Sequence, residues 1–278
     1  KAALITRGAK PGELVEAGLL IAPEDGGAPY DRFRDRVMFP ICDARGRVVS
    51  FGGRALNPAQ RAKYLNGPET PVFHKGRVLY GLHLAREILA EGGALVAVEG
   101  YLDVIACHRA GVAAVAGMGT ALTPEQLALL WRLHSEPTLC FDGDRAGLDA
   151  AGRAMETALP LIGPSKSLRF TTVRGGKDAD DVYREQGAEA LRSHLLASTA
   201  FARALFERER DARPLDTPEA MAALMARLRQ HAAAVTDRDL ASVYREAFFG
   251  WVRGLRAGRE RGLRQGGATL EARAAAEA

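Results

Sequence analysis

The sequence is poor in cysteine, with Cys42, Cys107 and Cys140 spread over 278 residues. That spacing builds neither a disulfide framework nor a thiolate metal site, and it suits a reducing compartment. Apolar runs of membrane-spanning length are missing, and so is a signal-peptide pattern, so the expected chain is cytoplasmic with no membrane partner. No methionine stands at position 1, so the chain reads as a fragment or a processed form. What is present is ordinary globular composition, 47% hydrophobic and 26% charged, in a length sufficient for two or three compact units.

Charge of a single sign does not dominate, but it is unevenly distributed. Residues 1–92 carry 14 Lys+Arg against 10 Asp+Glu, residues 93–185 carry 9 against 12, and residues 186–278 carry 15 against 12. An acidic middle between basic flanks fits a metal site beside a polyanion-binding surface.

The acidic middle alternates strand and helix. Ala94–Val98, Val112–Val115, Thr138–Phe141 and Ser167–Val173 read as strands, with helical patterns between them. Thr123-Pro124-Glu125-Gln126 supplies an N-cap, a proline at N1 and a capping-box glutamine. This grammar predicts a parallel, doubly wound α/β sheet, in which all strand ends share one edge. Carboxylates follow three of the strands: Glu99, then Asp142 and Asp144, then Asp178 and Asp180, with Asp103 one helical turn beyond Glu99. A lone Asp-x-Asp is a common turn, whereas a glutamate and two such pairs at successive strand ends converge. Crowded carboxylates without cations between them are the usual holders of a divalent ion bound through oxygen.

The basic N-terminal part is read as a small sheet. Arg32–Ile41 and Arg47–Phe51 are expected strands joined by the turn Asp43-Ala44-Arg45-Gly46, and residues 11–22 form a short helix closing near Gly18. Residues 32–77 hold ten Lys+Arg against three Asp+Glu. Such an excess marks a phosphate-binding face or a solvated one, and charge alone does not separate them. Two details favour the first. Phe51-Gly52-Gly53-Arg54 ends a strand with paired glycines that would let backbone approach a ligand. Lys63-Tyr64-Leu65-Asn66-Gly67-Pro68-Glu69-Thr70 mixes a cation, an aromatic ring and an amide, suited to phosphate, base face and polar edge in turn. Phe73-His74-Lys75-Gly76-Arg77 adds further cations.

These residues carry a resemblance. Val98-Glu99-Gly100-Tyr101-Leu102-Asp103 with Asp142-Gly143-Asp144-Arg145-Ala146-Gly147 resembles the Toprim domain of bacterial primases and several topoisomerases. The N-terminal segments, from Arg32–Ile41 to Phe73–Gly76, resemble the basic subdomain of the bacterial DnaG-type primase family. The likeness covers roughly residues 10–250. It implies an RNA-polymerising core in which Glu99, Asp142 and Asp144 are catalytic. Those three, with Asp178, Asp180 and a supporting Asp103, bind Mg2+ or Mn2+. It further implies that Arg54, Lys63, Tyr64, Asn66, Lys75 and Arg145 face nucleotide or template. The expected partners are single-stranded DNA, nucleoside triphosphates and, through a C-terminal domain not present here, the replicative helicase. Zinc is expected only in an N-terminal domain not present here. The family's last acidic pair is usually Asp-Pro-Asp, whereas this chain has Asp178-Ala179-Asp180.

The expected domains are a basic subdomain at 1–92, the Toprim domain at 93–185, a helical bundle at 186–262 and a flexible tail at 263–278. Within the bundle, residues 188–210, 217–234 and 236–260 read as three helices by apolar spacing. Two other readings of the metal site compete with primer synthesis. One is a Toprim nuclease or topoisomerase, the latter disfavoured because no region is large enough for a strand-passage gate. The other is a non-catalytic nucleic-acid-binding module, disfavoured by the complete acidic set.

Overall fold

The computed structural model describes residues 1–60, 62–119, 121–173 and 178–276. The chain forms two compact units, Lys1–Ala158 with Lys166–Ala200, and Leu159–Ser165 with Phe201–Ala278.

The first unit opens with helices α1 (Ala2–Thr6) and α2 (Pro11–Glu16) and the short antiparallel pair β1 (Leu20–Ile21) and β2 (Tyr30–Asp31). Pro11 at the helix start and the Glu13 carboxylate, which accepts from the Lys10 N–H at 3.0 Å, set the start of α2. A three-stranded antiparallel sheet follows: β3 (Arg36–Cys42), β4 (Val48–Ala55) and β5 (Tyr64–Asn66), in that order. The hairpin between β3 and β4 is held by Asp43, whose Oδ1 accepts the N–H groups of Arg45 and Arg47 at 2.9 and 3.0 Å. β3 begins four residues later than its composition suggests, because Asp35 takes a positive φ of 51° and breaks the extended run.

After a 3₁₀ turn at Lys75–Arg77 come β6 (Leu79–Tyr80), α3 (Leu82–Ala90), β7 (Leu95–Val98), α4 (Tyr101–Arg109), β8 (Ala113–Gly117), α5 (Pro124–Leu133), β9 (Thr138–Phe141), α6 (Arg145–Ala158), β10 (Arg169–Thr172), α7 (Ala179–Leu196) and β11 (Thr199–Ala200). They build a six-stranded sheet in the order β11-β10-β9-β7-β8-β6. The inner four strands are parallel, and the two edge strands run antiparallel to their neighbours. Every residue of β7 and β9 is buried, which is why these strands read as unbroken apolar runs rather than alternating ones. Each buried Val or Leu there contributes about 1.5–3 kcal/mol of transfer free energy. The expected α/β sheet and its helices are therefore as observed, and the capping box at Thr123 and Gln126 is formed. Among the described residues all three cysteines are free and buried, and no helix is long and apolar enough to cross a membrane.

The second unit contains α8 (Phe201–Asp211), α9 (Pro218–Ala234) and α10 (Arg238–Ala276). Phe201, Leu205, Phe206, Met221, Leu224, Leu228, Tyr244 and Phe248 are buried in it, and Tyr244 and Phe248 meet edge to face at 5.6 Å. A single helix over 188–210 is not what forms. Arg169 donates to the Ser198 hydroxyl at 2.7 Å and carbonyl at 2.6 Å, drawing Thr199–Ala200 into the sheet as β11 and splitting α7 from α8. Local helix propensity is overridden by that tertiary tie. The kink in α7 at Gly187, with φ 86°, lies one residue before the predicted start.

Candidate active site

The site lies at the carboxyl edge of the parallel sheet. β7 and β9 are direct neighbours, so their ends bring Glu99 and Asp142 together, and Glu99 Oε1 accepts the Asp142 N–H at 2.9 Å. The Asp103 carboxylate, on the first turn of α4, accepts from Gly100 N–H at 3.0 Å and from Asp180 N–H at 3.1 Å. It thereby ties the start of α7 to the end of β7. Asp144 caps α6 by accepting the Gly147 N–H at 2.8 Å, and Asp178 caps α7 by accepting the Asp181 N–H at 2.8 Å. A Cβ on Gly147 would run into the backbone of Asp142, so only glycine lets α6 approach the turn that carries both aspartates. Residues 174–177, which precede Asp178 in the chain, lie outside the described residues.

Electrostatics report the same convergence. Burial pushes the Asp142 carboxyl up to about 7, with Glu99, Asp103, Asp178 and Asp144 adding to the rise. Burial likewise pushes Asp103 up to about 6, reinforced by Asp178 and Asp180 and opposed by its two backbone hydrogen bonds. Asp180 is raised by burial and by Asp178, and is eased by Arg184 and Arg54. The donors are all carboxylate oxygens, the chemistry that suits Mg2+ or Mn2+, and their mutual repulsion is what a divalent cation relieves. Among the described residues no three of these side chains are drawn into a ready-made ligand group. Four of them, Glu99, Asp103, Asp144 and Asp178, each have an oxygen bonded to backbone N–H.

The basic sheet faces this edge through β5. The Tyr64 ring, 40% exposed, has Arg54 and Lys63 each 5.8 Å from its centroid. Burial raises its hydroxyl pKa, Arg54 lowers it, and Asp103, Asp178 and Asp180 raise it further, so the ring stands between the cations and the carboxylates. Asn66 is committed within the protein: its Oδ1 accepts from the Tyr101 hydroxyl at 2.6 Å, and its Nδ2 donates to the Met118 carbonyl at 3.3 Å. Lys75 sits in the 3₁₀ turn with its N–H on Glu69 Oε1 at 3.0 Å and its carbonyl on the Gln126 amide at 2.9 Å. Arg145 opens α6, exposed. No contact among the described residues ties either Lys75 or Arg145 to the carboxylates.

One sequence reading needs correction. The space beside Gly52 is filled by the Tyr101 ring, and that beside Gly53 by Arg36 and Phe33, so the paired glycines admit the protein's own side chains rather than a ligand.

Two family models match, one described as the DNA primase catalytic core, N-terminal domain, over residues 1–86, and one described as Toprim-like over residues 96–183. A DNA primase of Escherichia coli O6:H1 is 47% identical over 212 residues, which is 76% of this chain and 36% of that protein. A DNA primase domain from Pseudomonas aeruginosa superposes with a TM-score of 0.83 at 39% identity, covering 90% of this chain and 79% of that structure. The chain belongs to the DnaG-type DNA primase family. A DnaG primase catalytic domain solved bound to single-stranded DNA is also similar, with a TM-score of 0.80 at 40% identity, covering 90% of this chain and 79% of that one. The chain spans about a third of the length of the curated primases it matches.

Within this primase fold, sequence reasoning missed two site residues. Tyr101 stacks on Phe39 at 5.1 Å, meets Tyr80 edge to face at 4.6 Å and bonds Asn66, pinning the basic sheet to α4. Its place between Glu99 and Asp103 in the motif was the available signal. Arg184 lies 3.8 Å from Asp180 and 3.6 Å from Asp181, a contact that the i,i+4 and i,i+3 spacings foreshadow.

Proposed function

We propose that this chain is a nucleotidyl-transferring core that makes short RNA primers on single-stranded DNA during replication. The observation that carries the reading is the facing of the two surfaces: a crowded carboxylate edge opposite the paired strands β4 and β5, where Arg54, Lys63 and Tyr64 cluster. A 3′-hydroxyl oxygen attacks the α-phosphorus of a nucleoside triphosphate; a P–O bond forms, the bond to pyrophosphate breaks, and the hydroxyl proton is released. Glu99, Asp142, Asp144, Asp178 and Asp180, with Asp103 in support, would hold Mg2+ or Mn2+. When bound, such an ion lowers the pKa of the attacking hydroxyl and offsets phosphate charge. Arg54 and Lys63 attract triphosphate and template phosphates, and the Tyr64 ring offers a stacking face to a base. Asp144 and Asp178 keep their orientation because each also caps a helix, and Asn66 holds β5 at a fixed distance from α4.

Among the described residues the three cysteines are free and buried, and no group of them with histidines or carboxylates is drawn into a metal site. The proposal therefore assigns zinc binding, start-site selection and helicase recruitment to regions of the longer relatives outside the matched stretch, and assigns the activity to the bacterial cytoplasm at the replication fork. The nuclease and binding-module readings are not favoured by relatives that are primases. The test is incubation with labelled nucleoside triphosphates, single-stranded DNA and Mg2+ or Mn2+. Short labelled RNA is the expected product. No product with either ion, or cleavage of labelled DNA without triphosphates, would overturn the reading.

A further inference from the structure

The second unit carries a stripe of arginines that the chemistry above does not use. On α10, Arg245, Phe249, Arg253 and Arg256 follow one another at spacings of four, four and three residues, so they share one flank of the helix. α9 brings Arg229 to the same flank, its guanidinium 5.4 Å from the Phe249 ring centroid, and Arg256 reaches the Met225 sulfur at 3.4 Å. All four arginines are exposed. Among the described residues none of them pairs with a carboxylate, unlike Arg203 and Arg210 of α8, which are paired with Glu207 and Asp211. On α10 the exposed Glu246 lies at the rim of this flank, about 20° round the helix from Arg253 but two turns away along it, and it pairs with none of the four arginines among the described residues. A solvated helix face normally interleaves both signs, as α8 does. Here four arginines stand unpaired with any carboxylate among the described residues over about 16 Å, eleven residues at 1.5 Å each.

We infer that this flank of α9 and α10 is a second nucleic-acid contact surface, taking the sugar–phosphate backbone of single-stranded DNA without reading its sequence. All four cations are arginines, whose planar forks grip phosphate oxygens two at a time. No base-reading polar side chain lies among the arginines; Phe249 and Met225 lie between them, partly buried. The surface would give the template a second point of attachment to the chain. This inference rests on the reading that the chain works on nucleic acid.

The test measures binding of a labelled single-stranded DNA, and of an RNA–DNA hybrid of equal length, by the whole chain across a salt series. The variants are Arg245→Ala with Arg253→Ala, Arg253→Lys, and Arg213→Ala as an exposed arginine away from the stripe. The double variant should bind single-stranded DNA more weakly and lower the slope of log affinity against log salt by about 1.4, roughly 0.7 for each lost contact. Helical circular dichroism should be unchanged, and Arg253→Lys and Arg213→Ala should keep the parent slope. A parent-like slope in the double variant, or a loss confined to the hybrid, overturns the inference while leaving the proposed function standing. A parent chain that binds no nucleic acid at all brings down both.

Discussion

In the first unit the Asp142 carboxyl is pushed up to about 7 by burial and by four neighbouring carboxylates. In the second, the Glu209 carboxyl is pushed down to about 2, first by a hydrogen bond from His231 and then by one from Arg227. Glu209 is the more buried of the two, and its oxygens are matched: Arg227 Nε at 2.6 Å on Oε2, His231 Nε2 at 3.1 Å on Oε1. A cation and an imidazole answer the bundle's carboxylate from within the fold. At the sheet edge the chain brings six carboxylates to one region, where among the described residues Arg184 and Arg54 ease Asp180, leaving charge for something else to neutralise. Buried carboxylates that are satisfied hold structure together, and buried carboxylates left crowded mark where the chemistry is.

Removing one member from each set sharpens the contrast. Asp142→Asn should cut primer synthesis about a thousandfold, corresponding to about 4 kcal/mol of lost transition-state stabilisation. The folded state should survive, since the substitution removes like-charge repulsion and no hydrogen bond to the Asp142 side chain is present among the described residues. Single-turnover synthesis assays and thermal melts check both halves, and near-parent synthesis breaks the comparison. Glu209→Ala should do the reverse. It leaves Arg227 and His231 without their partner and costs about 3 kcal/mol of stability, read as a lower urea midpoint.

The pH response follows with its sign. The folded Glu209 pKa lies below the value of about 4.3 for an unfolded glutamate, so its contribution is fully present above pH ~4.5 and is lost as pH falls towards 2. That loss should amount to roughly 2–3 kcal/mol. Urea unfolding of the parent and of Glu209→Gln between pH 5 and 2.5 checks it: the parent should lose more stability than the variant, and parallel curves would refute the assignment.

The smallest effect concerns the link between the basic sheet and the carboxylates. Tyr101→Phe keeps the ring that stacks on Phe39 and fills the space beside Gly52, and removes only the hydroxyl held by Asn66. The KM for nucleoside triphosphate should rise about fivefold, in line with about 1 kcal/mol for one hydrogen bond, with kcat and the melting temperature little changed. A fall in melting temperature at constant KM would make the tyrosine a purely structural pin.

How much of this was legible follows from where each signal sits in the chain. The four inner strands announced themselves as apolar runs, three of them followed by carboxylates, so Glu99, Asp142 and Asp144 could be assigned to one edge from the sequence alone. β6 and β11 have two residues each and no period to detect; they exist because β8 and β10 offer them hydrogen bonds. The contact of Tyr101 with Asn66 joins residues 35 apart, beyond the reach of local pattern. Gly52 was read as open backbone because the ring that occupies its space comes from another element.

Those two-residue edge strands also fix what can be cut from the molecule. The Toprim-like match spans residues 96–183, but the sheet is finished by Leu79–Tyr80 on one side and Thr199–Ala200 on the other. An excised 96–183 segment would present the bare ladders of β8 and β10, each free to recruit a strand from a second molecule. Homology therefore draws the boundary inside the structural unit. A piece meant to be handled alone, for labelling, fusion or display, has to run from before Leu79 to beyond Ala200.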